Sequence, residues 1–195
     1  MKTTKPITNN SQVAELMTVY EYGTKNHLIL AYALDTGLRV SDMLKAKAGD
    51  SKRGYWRGVE EKTGKAKYQE FSDSLRLLIL DYIDIHELSD DDYLFYNDRN
   101  RNKNISRQAV DKVIRHAGDM IGLDRLSAHS LRKTFGYMAY KSKQYDISEL
   151  QYIFNHSSPK TTLRYIGITQ ESINKKNRGF SVFSVIDDWY NTSFI

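Results

Sequence analysis

Residues 150–165 read Leu150-Gln-Tyr-Ile-Phe-Asn-His-Ser-Ser-Pro-Lys-Thr-Thr-Leu-Arg-Tyr165. Just upstream, Asp146-Ile-Ser-Glu149 has the form of a capping box, in which two side chains satisfy the free amides of a first helical turn. It opens an apolar helical run through Leu150, Ile153 and Phe154. Ser158-Pro159 then reads as an N-cap followed by proline at the first helical position, where an N–H has no partner to lose. The stretch is therefore helix, junction, helix. His156 stands in the junction, and Tyr165 follows nine residues later, about two turns into the second helix or just beyond it. Asn155 precedes the histidine, and asparagine tolerates the left-handed backbone that such a reversal needs.

Outward from there the chain is mostly helical. Leu75, Leu78, Ile79, Tyr82 and Ile83 follow the i, i+3, i+4, i+7 spacing and predict an amphipathic helix over Asp73 to Glu87. Ser106 can cap a helix through Ala117 with Val110, Val113 and Ile114 inward. In Ala128-His-Ser-Leu-Arg-Lys-Thr-Phe135, His129 and Arg132 share one helix face, while Leu131 and Phe135 point to the core. In Thr36-Gly-Leu-Arg-Val-Ser41 one helix ends at Gly37, which can reverse at positive φ, and another begins near Ser41. That leaves Arg39 in a tight junction. Between these boxes, 55–60 and 66–71 flank Glu61-Lys-Thr-Gly-Lys65 as a β-hairpin with Lys62 near its tip, and Tyr93-Leu-Phe-Tyr96 reads as a short third strand. The expected class is α+β, predominantly helical, in one domain.

Composition narrows the chemistry. The 195 residues include no cysteine, which excludes a disulfide framework, a thiolate nucleophile and a Cys-based metal site. No apolar run approaches the roughly 20 residues that span a bilayer, and the N-terminus has no signal-peptide stretch, so a cytoplasmic protein is expected. The net charge of +5 is unevenly spread. Asp81 to Asp92 holds six acidic residues and no lysine or arginine, whereas Arg99 to His116 holds six basic residues against Asp111 alone. Ser41 to Glu70 adds eight basic against five acidic. One acidic and two basic regions suggest a side that meets a nucleic acid and a side that faces away. There is no phosphate-binding GxxxxGK[ST] loop and no convincing carboxylate cluster for paired metals. Asp90-Asp-Asp92 reads as a helix-terminating loop.

Each box alone is moderately specific, and with 14 tyrosines in the chain a tyrosine at one chosen place proves little. Their order carries the reading: Arg39, a hairpin lysine, His129-x-x-Arg132, His156, then Tyr165. This series resembles the catalytic domain of the tyrosine recombinases, the phage integrase family, over nearly the whole chain. Thr36–Ser41 looks like the first arginine box, His129–Arg132 like the second, and His156–Tyr165 like the nucleophile box. Lys65 and Lys67 compete with Lys62 for the hairpin role. Asn155 stands where glycine is usual, Asp42 where glutamate is, and Lys133 where histidine is.

The resemblance implies double-stranded DNA as partner, a tetramer on two DNA sites, and no cofactor or metal. It implies that Tyr165 attacks phosphorus, Arg39 and Arg132 neutralise the phosphate, His129 is the base and Lys62 the acid, with His156 donating a hydrogen bond. The expected layout is a catalytic domain over residues 1–179 and an apolar tail over 180–195, folded on its own core or exchanged with a neighbour. The N-terminal DNA-clasping domain common in integrases is expected to be absent. Two other readings use the same residues: a type IB topoisomerase-like relaxing enzyme, and a DNA-binding regulator that kept the fold without catalysis.

Overall fold

The helix at the centre of the fold, α2 (Lys25–Thr36), is apolar on every side. Leu28, Ile29, Leu30 and Tyr32 are all fully buried, the pattern of a helix enclosed by others. Thr24 caps it, its hydroxyl accepting from the His27 amide, and Gly37 ends it at φ +57. These features come from a computed structural model that describes residues 4–59, 61 and 64–182. The chain divides into two compact units, Met1–Gln144 and Tyr145–Ile195.

In the first unit α2 packs against α1 (Asn10–Thr18), α5 (Asp73–His86), α6 (Arg107–Met120) and α7 (Ala128–Lys141). The expected caps are present: Ser72 opens α5 and Ser106 opens α6, each hydroxyl accepting an amide one turn on. Two short helices, α3 (Val40–Met43) and α4 (Ala48–Lys52), lead from α2 into the hairpin. That hairpin pairs β1 (Tyr55–Val59) with β2 (Ala66–Glu70) antiparallel, Tyr55 opposite Glu70 and Val59 opposite Ala66. Trp56 is its root in the core, buried, with Nε1–H donating to the Asp42 carbonyl at 3.0 Å.

The third strand does not join this sheet. β3 is Tyr96–Asn97 and pairs with β4 (Asn100–Asn104) in a separate two-stranded hairpin. Leu94 and Phe95 are consecutive and both fully buried, so the segment lacks the in-out alternation of a half-exposed strand. It enters the core, and Tyr93 pairs with Lys47 in an isolated bridge, the Lys47 ammonium lying 3.4 Å from its ring centroid. The α+β class with small antiparallel sheets stands.

The second unit holds α8 (Ile147–Phe154), α9 (Pro159–Tyr165) and α10 (Gln170–Arg178). The Asp146/Glu149 capping box is complete, Asn155 ends α8 at φ +54, and Ser158-Pro159 starts α9. Phe180 and Val182 follow α10 and are exposed. The rest of the apolar tail, from residue 183, lies outside the described residues. Among the described residues no helix is long and apolar enough to cross a membrane.

Candidate active site

Within the first unit, the turn after α2 is satisfied group by group. The Thr36 carbonyl accepts from Gln69 Nε2 of β2 at 2.8 Å, and the Thr36 hydroxyl accepts from the Leu38 amide. The Gly37 carbonyl accepts from Arg132 Nη1 of α7. Phe135, one turn after Leu131, packs against Gly37, where a Cβ would fall 2.3 Å from its ring. The second arginine box is thereby clamped onto the first. Arg132 is only 4% exposed, so its guanidinium is fixed by packing before any ligand arrives.

Arg39 is the N-cap residue of α3, its Nη1 lying 3.9 Å from Oδ2 of Asp42. Asp42 is fully buried, and Lys45 Nζ stands 3.8 Å from its other oxygen, which also accepts the Glu61 amide at 3.1 Å. A buried carboxylate is retained only when paired, and here two cations and an amide share it. Sequence reading gave Asp42 no part in chemistry. The structure makes it the seat of Arg39 and of the β1–β2 turn, and the available signal was its i, i+3 spacing from Arg39.

His129 lies in the first turn of α7, exposed at the surface. Partial desolvation, then the positive charges of Arg132, Lys133 and Arg39, push its pKa below the ordinary value of 6.5, with Asp111 opposing. The structure thus gathers Arg39, Arg132 and His129 in one electrostatic neighbourhood. Lys133, by contrast, turns away: it is buried, its ammonium donates to the Thr4 carbonyl at 2.6 Å, and burial lowers its pKa. Lys62 lies outside the described residues.

In the second unit, His156 and Tyr165 meet edge to face, ring centroids 4.9 Å apart, with Phe154 against both. His156 Nδ1 is 3.1 Å from Thr162 Oγ1, and Thr162 is fully buried. The threonine hydroxyl also lies 3.3 Å from the Ser158 carbonyl and has one proton to give, so Thr162 orients the imidazole through Nδ1 while the tautomer follows from which of the two it donates to. Tyr165 is the last residue of α9 and half-buried, so its ring is held while its position at the helix end stays reachable. Thr162 was not legible in the sequence, where it is one of two adjacent threonines. Among the described residues no cluster of three or more metal-ligating side chains occurs.

Comparison with known proteins fits this arrangement. The model of the phage integrase family matches residues 7–172. A probable integrase/recombinase of Bacillus subtilis, YoeC, is 37% identical over 150 residues, 76% of this chain and 80% of its own length. A probable integrase/recombinase of Acholeplasma phage L2 is 32% identical over 80% of this chain, which spans 51% of that relative. In structure, XerA recombinase superposes with a TM-score of 0.72 at 20% identity, over 92% of this chain and 65% of XerA. A lambda integrase dimer bound to a core site gives 0.66 at 20% identity, over 86% of this chain and 49% of its own. The chain belongs to the phage integrase family and carries the fold of the tyrosine recombinases.

Proposed function

We propose that this chain is the cutting and rejoining part of a site-specific DNA recombinase, working through a covalent 3′-phosphotyrosyl link. The observation that supports it best is the pair of immobilised guanidiniums, Arg39 on Asp42 and Arg132 on the Gly37 carbonyl, beside a histidine held toward its neutral form. A phosphodiester is anionic and gains charge on its non-bridging oxygens in the transition state. Fixed, permanently charged donors stabilise that charge without reorganising.

In this reading the Tyr165 oxygen attacks phosphorus in line, and its proton passes to His129. A phenol with a pKa near 10 needs such a base at neutral pH. As the bond to the 5′-oxygen breaks, Lys62 supplies that oxygen's proton. His156 donates a hydrogen bond to a non-bridging oxygen, its ring oriented by Thr162. Rejoining reverses each transfer. The phosphotyrosyl link keeps the energy of the broken phosphodiester, so the reaction needs neither ATP nor a metal and should persist in chelator.

The partner is double-stranded DNA in the cytoplasm, with four copies assembling on two sites. The lambda integrase and XerH structures that share the fold are DNA complexes, which supports this partner. The apolar sequence after Gly179 is read as the segment that docks on a neighbouring copy. A nicked suicide substrate traps the adduct: wild type should accumulate covalent protein–DNA, mapping to the peptide that holds Tyr165. Tyr165→Phe should bind DNA as before and form none. Adduct from the Phe variant would assign the nucleophile elsewhere, Tyr152 being the nearest alternative in sequence.

A further inference from the structure

Ahead of α1, residues 4–9 form a strap with no regular structure, bonded along α7 at two points. The Ile7 amide donates to the Thr134 hydroxyl at 2.8 Å, and that hydroxyl donates onward to the Ser130 carbonyl at 2.8 Å. Three residues earlier, the Thr4 carbonyl accepts from Lys133 Nζ. Ser130, Leu131, Arg132, Lys133 and Thr134 are all buried, so this turn of α7 is enclosed on every side. Successive residues point about 100° apart around a helix. Arg132 is bonded to the Gly37 carbonyl while its two successors hold the strap, and the turn is gripped between them.

Closing the core does not account for these bonds. The Ile7 side chain is already buried there, and an apolar residue at 133 would fill its space without the cost of burying an ammonium. Nor is Lys133 placed as a phosphate contact, since it is buried and its ammonium is bonded to Thr4. We propose that Lys133 and Thr134 are positioning residues for cleavage. By binding the strap they fix the turn of α7 that sets the Arg132 guanidinium against the scissile phosphate. This rests on the reading in which Arg132 neutralises that phosphate. A misplacement of about 1 Å in such a group can cost roughly 100-fold in rate, so the bonds behind the helix bear on chemistry before they bear on folding.

The test compares two nicked suicide duplexes, one with the natural phosphodiester at the scissile position and one with a methylphosphonate. The second is neutral and needs no guanidinium to offset its charge. Adduct formation is read on saturating DNA at about pH 8, above the range of His129 with or without the Lys133 charge. Lys133→Met and Thr134→Val should each slow it roughly 10- to 100-fold on the phosphodiester. Both should match wild type on the methylphosphonate, with half-site affinity unchanged. Thr134→Ser keeps the hydroxyl and should restore the phosphodiester rate. Ile7→Pro deletes the strap's donor, leaves α7 untouched, and should repeat the Thr134→Val pattern. Wild-type rates on both substrates, or equal slowing on both, overturn the proposal, as does a wild-type phosphodiester rate in Ile7→Pro. Arg132→Ala separates the two layers. If the methylphosphonate does not rescue it, Arg132 does not act on the phosphate charge and the reading beneath the proposal falls. If it rescues Arg132→Ala but not Lys133→Met and Thr134→Val, those two residues alone lose their role.

Discussion

His129 shows how the site is tuned at the level of one side chain. It has the exposure of a surface residue, yet partial desolvation together with Arg132, Lys133 and Arg39 depresses its pKa below 6.5. The sign is definite. The unfolded chain takes up the proton near the ordinary value and the folded chain only at lower pH, so acidification below 6.5 costs stability through this group. Above 6.5 it contributes no pH dependence. The same shift keeps the imidazole unprotonated, and so available as the base of the proposed reaction, to lower pH than a free histidine. The acidic limb of single-turnover cleavage should therefore bend below pH 6.5, and His129→Gln should lower the rate and remove that bend. An inflection at or above 6.5 that survives the substitution would take the base role from His129.

Elements position these side chains through a few backbone groups, and Gly37 is the sharpest case. It ends α2 at φ +57, lies beneath Phe135 of α7, and gives its carbonyl to Arg132. Gly37→Ala places a methyl where the ring is and strains the backbone, so stability should fall by about 1–3 kcal/mol in urea unfolding. Cleavage should fall further than stability predicts, because Arg132 loses its register against Arg39. If activity merely follows the folded fraction, the carbonyl contact is incidental. This box was legible because glycine and the capping residues are punctuation with a physical cause, as were the capping box at Asp146 and the start at Ser158-Pro159. The central helix was not. Its run from His27 to Ala33 is buried on all sides and shows no 3.6-residue alternation. Thr162 and the Glu61–Arg107 ion pair were equally silent, because their partners come from packing; Glu61 and Arg107 are 46 positions apart.

At the scale of the whole chain, the count of 29 lysines and arginines overstates what is available to a polyanion. Arg53 Nη2 lies 2.5 Å from one oxygen of Asp50 and Arg57 Nε 2.9 Å from the other, and both arginines are more than half exposed. Partial burial of Asp50 works against its ionisation, but the hydrogen bonds and charges of these arginines win and hold its pKa below the ordinary value. It stays ionised at neutral pH and engages two guanidiniums in one of the basic stretches read as phosphate-binding. Binding to duplex DNA should accordingly weaken with salt less steeply than a count of arginines and lysines implies. Asp50→Asn releases Arg57 and leaves Arg53 its longer pair with Asp90 at 3.8 Å and its bond to the Tyr55 hydroxyl, both open to competition from phosphate. Anisotropy titrations on a half-site duplex across a salt series should show tighter binding at low salt. The slope of log K against log salt should steepen by as much as about 1.8, from two added contacts at about 0.9 each. Adding Arg57→Ala to that variant should return roughly half the increment. An unchanged slope in Asp50→Asn would place Arg53 and Arg57 away from DNA and leave Arg99–His116 as the basic stretch that meets the phosphates.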